Sequence, residues 1–186
     1  MKYIGTNGVV AYGIIMYVGF IFVGTYMGYA VGSAPVISYH YGAGNKDELK
    51  NLFKRSLTII IVSSVVMTLI AEIIAGYLAG IFVSYDNNLL ELTTEAIRIY
   101  AVSYLISGIN IFASSFFTAL NNGVVSAVIS FMRMFVFQIV MILLLPVVLG
   151  ISGIWTAVIA AEVLSVVISV MFLVKNRKKY SYSTIL

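Results

Sequence analysis

Five long apolar stretches leave this chain few ways to fold. They cover about residues 8–41, 57–83, 94–119, 124–149 and 152–174. A helix needs about 20 mostly apolar residues to cross a bilayer, and in lipid its backbone must satisfy its own hydrogen bonds. Membrane strands are excluded, because the runs are too long and do not alternate. The sequence therefore predicts an all-α integral membrane protein, a bundle of five transmembrane helices. One transmembrane domain over 1–175 and a basic tail over 176–186 account for the whole chain. Composition agrees: 61% of the residues are hydrophobic and 10% charged, against about 25% charged in soluble domains.

The absence of cysteine removes disulfides, Cys-based zinc sites and a Cys nucleophile. The first apolar stretch is longer than a signal-peptide core and lacks a clear cleavage site, so it reads as a retained helix. The net charge of +4 bears on membrane topology before it bears on nucleic acid, and no nucleic-acid partner is expected. The link between the first two spans carries Lys46, Lys50, Lys54 and Arg55; the tail carries Lys175, Arg177, Lys178 and Lys179. The link between the second and third spans is acidic, with Asp86, Glu91 and Glu95 against Arg98. Basic loops stay in the cytoplasm. The expected orientation in the cell membrane has the N-terminus outside and the C-terminus inside. Five spans with an outside N-terminus suit a piece of a longer transporter.

Gly24, Gly28 and Gly32 recur every fourth residue and form a smooth ridge on the first span. Such ridges let helices approach closely, so the ridge reads as a packing face within a bundle. Pro35 lies just beyond it and removes a backbone donor, which marks a place where the helix can bend. Tyr39, Tyr41, Tyr85, Trp155 and Tyr180 fall near span ends, as in an interfacial aromatic belt.

Three ionisable residues lie deep in spans: Glu72, Arg133 and Glu162. A charge at the bilayer centre costs at least ~2.5 kcal/mol, so such groups pair or face water. Arg133 and Glu162 lie roughly 14 and 18 Å from the basic side at about 1.5 Å per residue, on antiparallel neighbours. They are within reach of each other. One reading is a pair that ties two helices together; the other has either residue facing a water-filled cavity, toward substrate or protons. Glu72 has no evident basic partner. The third span is rich in hydroxyls and amides, including Tyr104, Ser107, Asn110, Ser114 and Thr118. These either bond neighbouring helices or line a cavity. His40 is the sole histidine, without a second ligand at metal spacing, and no metal is expected. No phosphate-binding loop, nucleophile elbow or zinc-peptidase motif occurs, so the chain is read as a non-enzyme.

Several phrases, taken as a set, point further. Val10-Ala11-Tyr12-Gly13-Ile14 opens the first span, and Pro35-Val36-Ile37-Ser38-Tyr39-His40-Tyr41-Gly42-Ala43 closes it, ahead of a basic amphipathic link. This stretch resembles the eighth helix and the next loop of the MATE (multidrug and toxic compound extrusion) transporters. Ala96–Gly123 looks like that family's tenth helix, and Ser130–Val167 like its eleventh and twelfth. The resemblance implies the last five of twelve helices, a partial second lobe. It implies a fragment of an antiporter that exports organic cations and other drug-like molecules in exchange for Na⁺ or H⁺, with no further cofactor. Its partners would be the lipid bilayer and the missing N-terminal half, and the fragment alone is expected not to transport. His40 stands where the family has asparagine, and Ala34 where it has glutamine. No acid lies between Arg98 and Gly123, where some members bind a cation. Glu162 matches an acid that many members carry in the last helix, which makes it the leading candidate carboxylate. Two alternatives remain: a lipid-linked sugar flippase of the same superfamily, or a small non-transporting protein that assembles through the Gly24/Gly28/Gly32 ridge.

Overall fold

The computed structural model describes residues 5–183. Helix α1 spans Gly5–Gly42 and α2 spans Lys46–Val83. Each has 38 residues, about 57 Å at 1.5 Å per residue, well beyond a hydrocarbon core of about 30 Å. The excess of α2 is its first three turns, where the charged link continues as helix. The turn between them closes at Gly44, with φ +69°, a conformation glycine adopts without steric cost. Asn45 then caps α2 by accepting the Glu48 amide at 3.1 Å.

The third stretch is not one straight rod. Helix α3 (Asn87–Ala101) and α4 (Tyr104–Ala119) meet at a 48° bend. At the break, Val102 and Ser103 donate to Ile99 and Tyr100, tight three-residue bonds that end α3 before α4 begins. Asp86 caps α3 through bonds to the Asn88 and Leu89 amides. The fourth stretch comprises α5 (Gly123–Phe131), a π-helical segment over Met132–Phe137, and α6 (Gln138–Leu149). Gly150, with φ +62°, reverses the chain into α7 (Ile151–Tyr180). Counting the bent α3–α4 pair once, five segments are long and apolar enough to cross a membrane. The described residues contain no strand.

Helix α4 is the axle of the bundle. It packs on α1, α2, α5 and α7, while α6 packs on α7 and α2 on α3. Its core face carries Tyr104, Phe112, Phe116 and Phe117, all nearly inaccessible to solvent. On α7 the buried residues Trp155, Val158, Glu162, Ser165, Ser169 and Leu173 recur at three- or four-residue steps, one stripe facing the bundle. The outer surface is apolar, as lipid requires: Phe20, Ile73, Tyr77 and Val147 all point away from the bundle.

Two expectations need correction. Trp155 and Tyr180 belong to the buried core, not to an interfacial belt; Tyr39 and Tyr85 remain exposed. The glycine ridge meets no neighbour among the described residues. A Cβ added at Gly24, Gly28 or Gly32 would find nothing within 4 Å. The close approaches occur elsewhere: at Gly108 in α4, beside Ser64, Ile60 and Tyr26, and at Gly153, against the Leu145 carbonyl. Pro35 lies inside α1, which runs helical to Gly42. Next to it, the hydroxyl of Ser115 on α4 donates to the Ala30 carbonyl at 3.0 Å and Ser38 donates to Ala119 at 2.9 Å, stitching α1 to α4.

Candidate functional site: a buried ion pair beside a hydroxyl-lined cavity

The π-helical segment holds Arg133, and the buried stripe of α7 holds Glu162. Their side chains meet. The Nη2 of Arg133 donates to Glu162 Oε1 at 2.7 Å, and its Nε donates to Oε1 and Oε2 at 2.9 and 3.0 Å. The Arg133 side chain is 15% exposed and that of Glu162 is 7%. A third donor completes the carboxylate: Asn110 of α4 gives its Nδ2–H to Oε2 at 2.7 Å. The Asn110 oxygen accepts from Ser169 at 2.8 Å, two turns along α7. The network thus ties α4, the π segment and α7 at mid-span. A buried charge is tolerable when paired and fully hydrogen-bonded, which this carboxylate is. The π turn adds a residue to its helical repeat and so rotates α6 relative to α5, a device common at functional sites.

Arg133 and Asn110 also line a cavity of about 540 Å³ between α1, α4 and α5. Its apolar wall comes from Met27, Val31, Pro35, Ile111 and Met134. Its polar wall is a hydroxyl cluster. Ser114 bonds Ser126 at 2.9 Å and Ser130 at 2.7 Å, and Thr118 bonds Ser126 at 2.7 Å. An apolar pocket with a few convergent polar groups is the usual form of a small-molecule site.

The sequence candidates separate accordingly. Glu162, Arg133 and Asn110 come together. Tyr104 does not line the cavity; it is buried in the core, its ring stacked on Phe22 at 4.9 Å. Glu72, half-buried on α2, lies off the cavity and makes no ion pair among the described residues. Ser126, Ser130 and Ser169 were not singled out by sequence. The spacing of Ser126 and Ser130, one turn apart and opposite Ser114 and Thr118 across a tight link, is the signal that finds the first two. No group of three His, Asp or Glu side chains able to hold a metal ion gathers among the described residues.

This architecture is that of an all-α bundle of membrane-crossing helices. The MatE family matches residues 1–144, and the chain belongs to that family. The fold is also that of solved MATE transporters. The bent form of the Vibrio cholerae MATE transporter VcmN superposes with a TM-score of 0.86 at 19% identity, over 95% of this chain and 40% of that one. An outward-facing MATE multidrug resistance transporter of the MOP superfamily gives 0.88 at 16% identity, over 97% and 41%. An inward-facing one gives 0.81 at 16% identity, over 94% and 40%. The chain thus spans about 40% of the length of the structures it resembles. No curated protein matches it in sequence.

Proposed function

We propose that this chain is the last five helices of a MATE-type antiporter, which exports drug-like organic molecules in exchange for Na⁺ or H⁺. The observation that carries the reading is the contact of the Arg133–Glu162 pair with the cavity. Arg133 is a member of both. Neutralising Glu162, as Glu162→Gln does, removes the negative charge that holds the guanidinium. Arg133 is then free to turn toward a ligand between α1 and α5, so the state of the pair and the occupancy of the cavity are linked. Glu162 is the member that anchors the guanidinium, Arg133 the member that meets substrate, and Asn110 holds the carboxylate in register. In this reading the basic ends of α2 and α7 are cytoplasmic. The chain supplies part of one of the two moving bodies that alternating access requires, so by itself it does not transport.

A chimera tests this: a MATE transporter whose last five helices are replaced by this chain, assayed for dye efflux in cells lacking their own exporters. Export by the chimera, abolished by Glu162→Gln and absent with residues 1–186 alone, supports the reading. A chimera that reaches the membrane folded and does not export overturns it. The chain lacks cysteine, so single substitutions Asn88→Cys and Lys178→Cys report orientation by labelling from outside: only the first reacts. A second reading, assembly with another membrane protein through the glycine ridge, is favoured by the open face at Gly24, Gly28 and Gly32. Gly28→Leu would then abolish association while leaving the bundle folded.

A further inference from the structure

At the end of the bundle where α1 stops, α2 starts and α7 stops, a small niche of about 150 Å³ opens. It is lined by His40, Asn45, Lys46, Lys179, Tyr180 and Ser181, among others. Two ammonium groups belong to it, one from each side. Lys46 starts α2, and Lys179 ends α7 with its Nζ 5.1 Å above the Tyr180 ring. Both lysines are exposed, and neither has a carboxylate within ion-pair distance among the described residues. His40 adds a nitrogen of unusual standing. Its Nδ1 is shielded from solvent and has no hydrogen-bond partner. A buried polar atom left unpaired in a folded chain calls for an explanation.

The surroundings strengthen the charge. Lys50, Lys54 and Arg55 come next on α2, and Lys175, Arg177 and Lys178 precede on α7. The nearby acids are Asp47 and Glu48, and Asp47 is engaged by Lys50 at 3.3 Å. Tyr41 packs against Tyr180 at 5.7 Å beside the niche. A cluster of four to eight basic residues immediately beyond a membrane helix attracts anionic headgroups. Here that general attraction is joined to a concave seat of fixed shape.

We propose that this niche binds one phosphate group at the membrane surface, a chemistry shared by an anionic phospholipid headgroup and by free phosphate. Lys46 and Lys179 hold the phosphate oxygens from two sides. The His40 ring walls the niche between them. A bound phosphate would bridge the start of α2 to the end of α7, two helices joined at that end by few other polar contacts. The site is separate from the cavity at Arg133 and does not depend on what that cavity carries.

The test uses the full chain in zwitterionic detergent, titrated with phosphatidylglycerol, with phosphatidylcholine and with inorganic phosphate, and read by native mass spectrometry. Phosphatidylglycerol is retained and phosphatidylcholine is not, if the source is lipid; inorganic phosphate alone is retained at a one-to-one ratio if it is not. Lys46→Gln with Lys179→Gln lowers that retention about thirtyfold, at roughly 1 kcal/mol for each ammonium lost from the niche. The control, Lys54→Gln with Lys178→Gln, removes the same charge from the same end but from outside the niche, and changes retention less than about threefold, since exposed charges away from the ligand are screened. Equal losses in the niche pair and the control overturn the proposal, because they mean diffuse attraction only. So does retention of neither lipid nor phosphate. Unchanged melting temperatures in the two double variants exclude misfolding as the cause.

Discussion

The guanidinium of Arg133 straddles the carboxylate of Glu162, Nε reaching both oxygens at 2.9 and 3.0 Å and Nη2 reaching one at 2.7 Å. The pair joins the π segment to α7 beside Asn110 and the edge of the cavity. Removing one partner strands the other. Glu162→Leu is expected to lower stability by about 3 to 5 kcal/mol, the usual cost of an unpaired buried charge. The double variant Arg133→Met with Glu162→Leu recovers most of that loss. Unfolding in mixed micelles, run as a double-mutant cycle, measures both. Equal losses in the single and the double variants would show that the pair does not act as a unit.

Asn110 donates to Glu162 and accepts from Ser169. Asn110→Leu leaves Ser169 without its acceptor and Glu162 without its third donor. The expected cost is about 1 to 3 kcal/mol, and it shrinks when Glu162 is already leucine. Asn110→Asp costs more than Asn110→Leu, because it sets a second carboxylate against the first. Melting temperatures of the three variants rank them.

Gly108 and Gly28 make opposite predictions from the same residue type. A methyl group at Gly108 would stand 2.8 Å from Ser64 Oγ and 3.1 Å from Ile60 and Tyr26 carbons. Gly108→Ala is expected to destabilise by about 1 to 3 kcal/mol through overpacking between α4 and its neighbours. Gly28→Ala meets open space. It is expected to be neutral or slightly stabilising, since alanine is the better helix former by up to about 1 kcal/mol. Thermal unfolding of the two alanine variants side by side decides the matter.

Tyr182 locks the basic end. Ser181, with φ +56°, turns the chain back beyond α7. The Tyr182 ring then inserts between Phe53 of α2 and Phe116 of α4, at 4.8 and 4.9 Å, and its hydroxyl donates to the Leu173 carbonyl. Tyr182→Ala is expected to cost about 3 kcal/mol, and Tyr182→Phe about 1 kcal/mol for the hydrogen bond. Burial, with a smaller contribution from Tyr180, raises the phenol above its usual 10.0. The neutral form is the one the fold holds. Its stabilisation is therefore complete below pH 10, and declines as pH rises above the unfolded value toward the folded one. Tyr182→Phe should flatten stability against pH in that alkaline window, as tracked by unfolding at pH 9 to 11.

Much of this molecule could be read along the chain. Length of apolar run predicts a crossing helix, because lipid offers the backbone no partners. Arg133 and Glu162 could be matched because a four-residue link forces their helices to lie antiparallel, at similar depth. The structure shows Asn45, Asp86 and Asn122 capping the helices they precede, each side chain accepting from amides of the first turn. The break at Val102–Ser103 was not legible, as no proline or glycine announces it. Nor was the π turn at Met132–Phe137, which depends on what α7 presents opposite.

The least legible property was which side of each helix faces protein. In water a helix shows its inner face by contrast with a polar outer one. In lipid both faces are apolar and the contrast is lost. The Gly24/Gly28/Gly32 ridge therefore looked like a packing face yet lies open, while Gly108 and Gly153, which lack such a pattern, are the positions where helices touch. Trp155 and Tyr180 looked interfacial and are buried. Sequence by itself determined that the chain crosses the membrane, how many times, and which charges must find partners there. Only the tertiary structure decided which faces meet, because that depends on shape at contact and not on hydrophobicity.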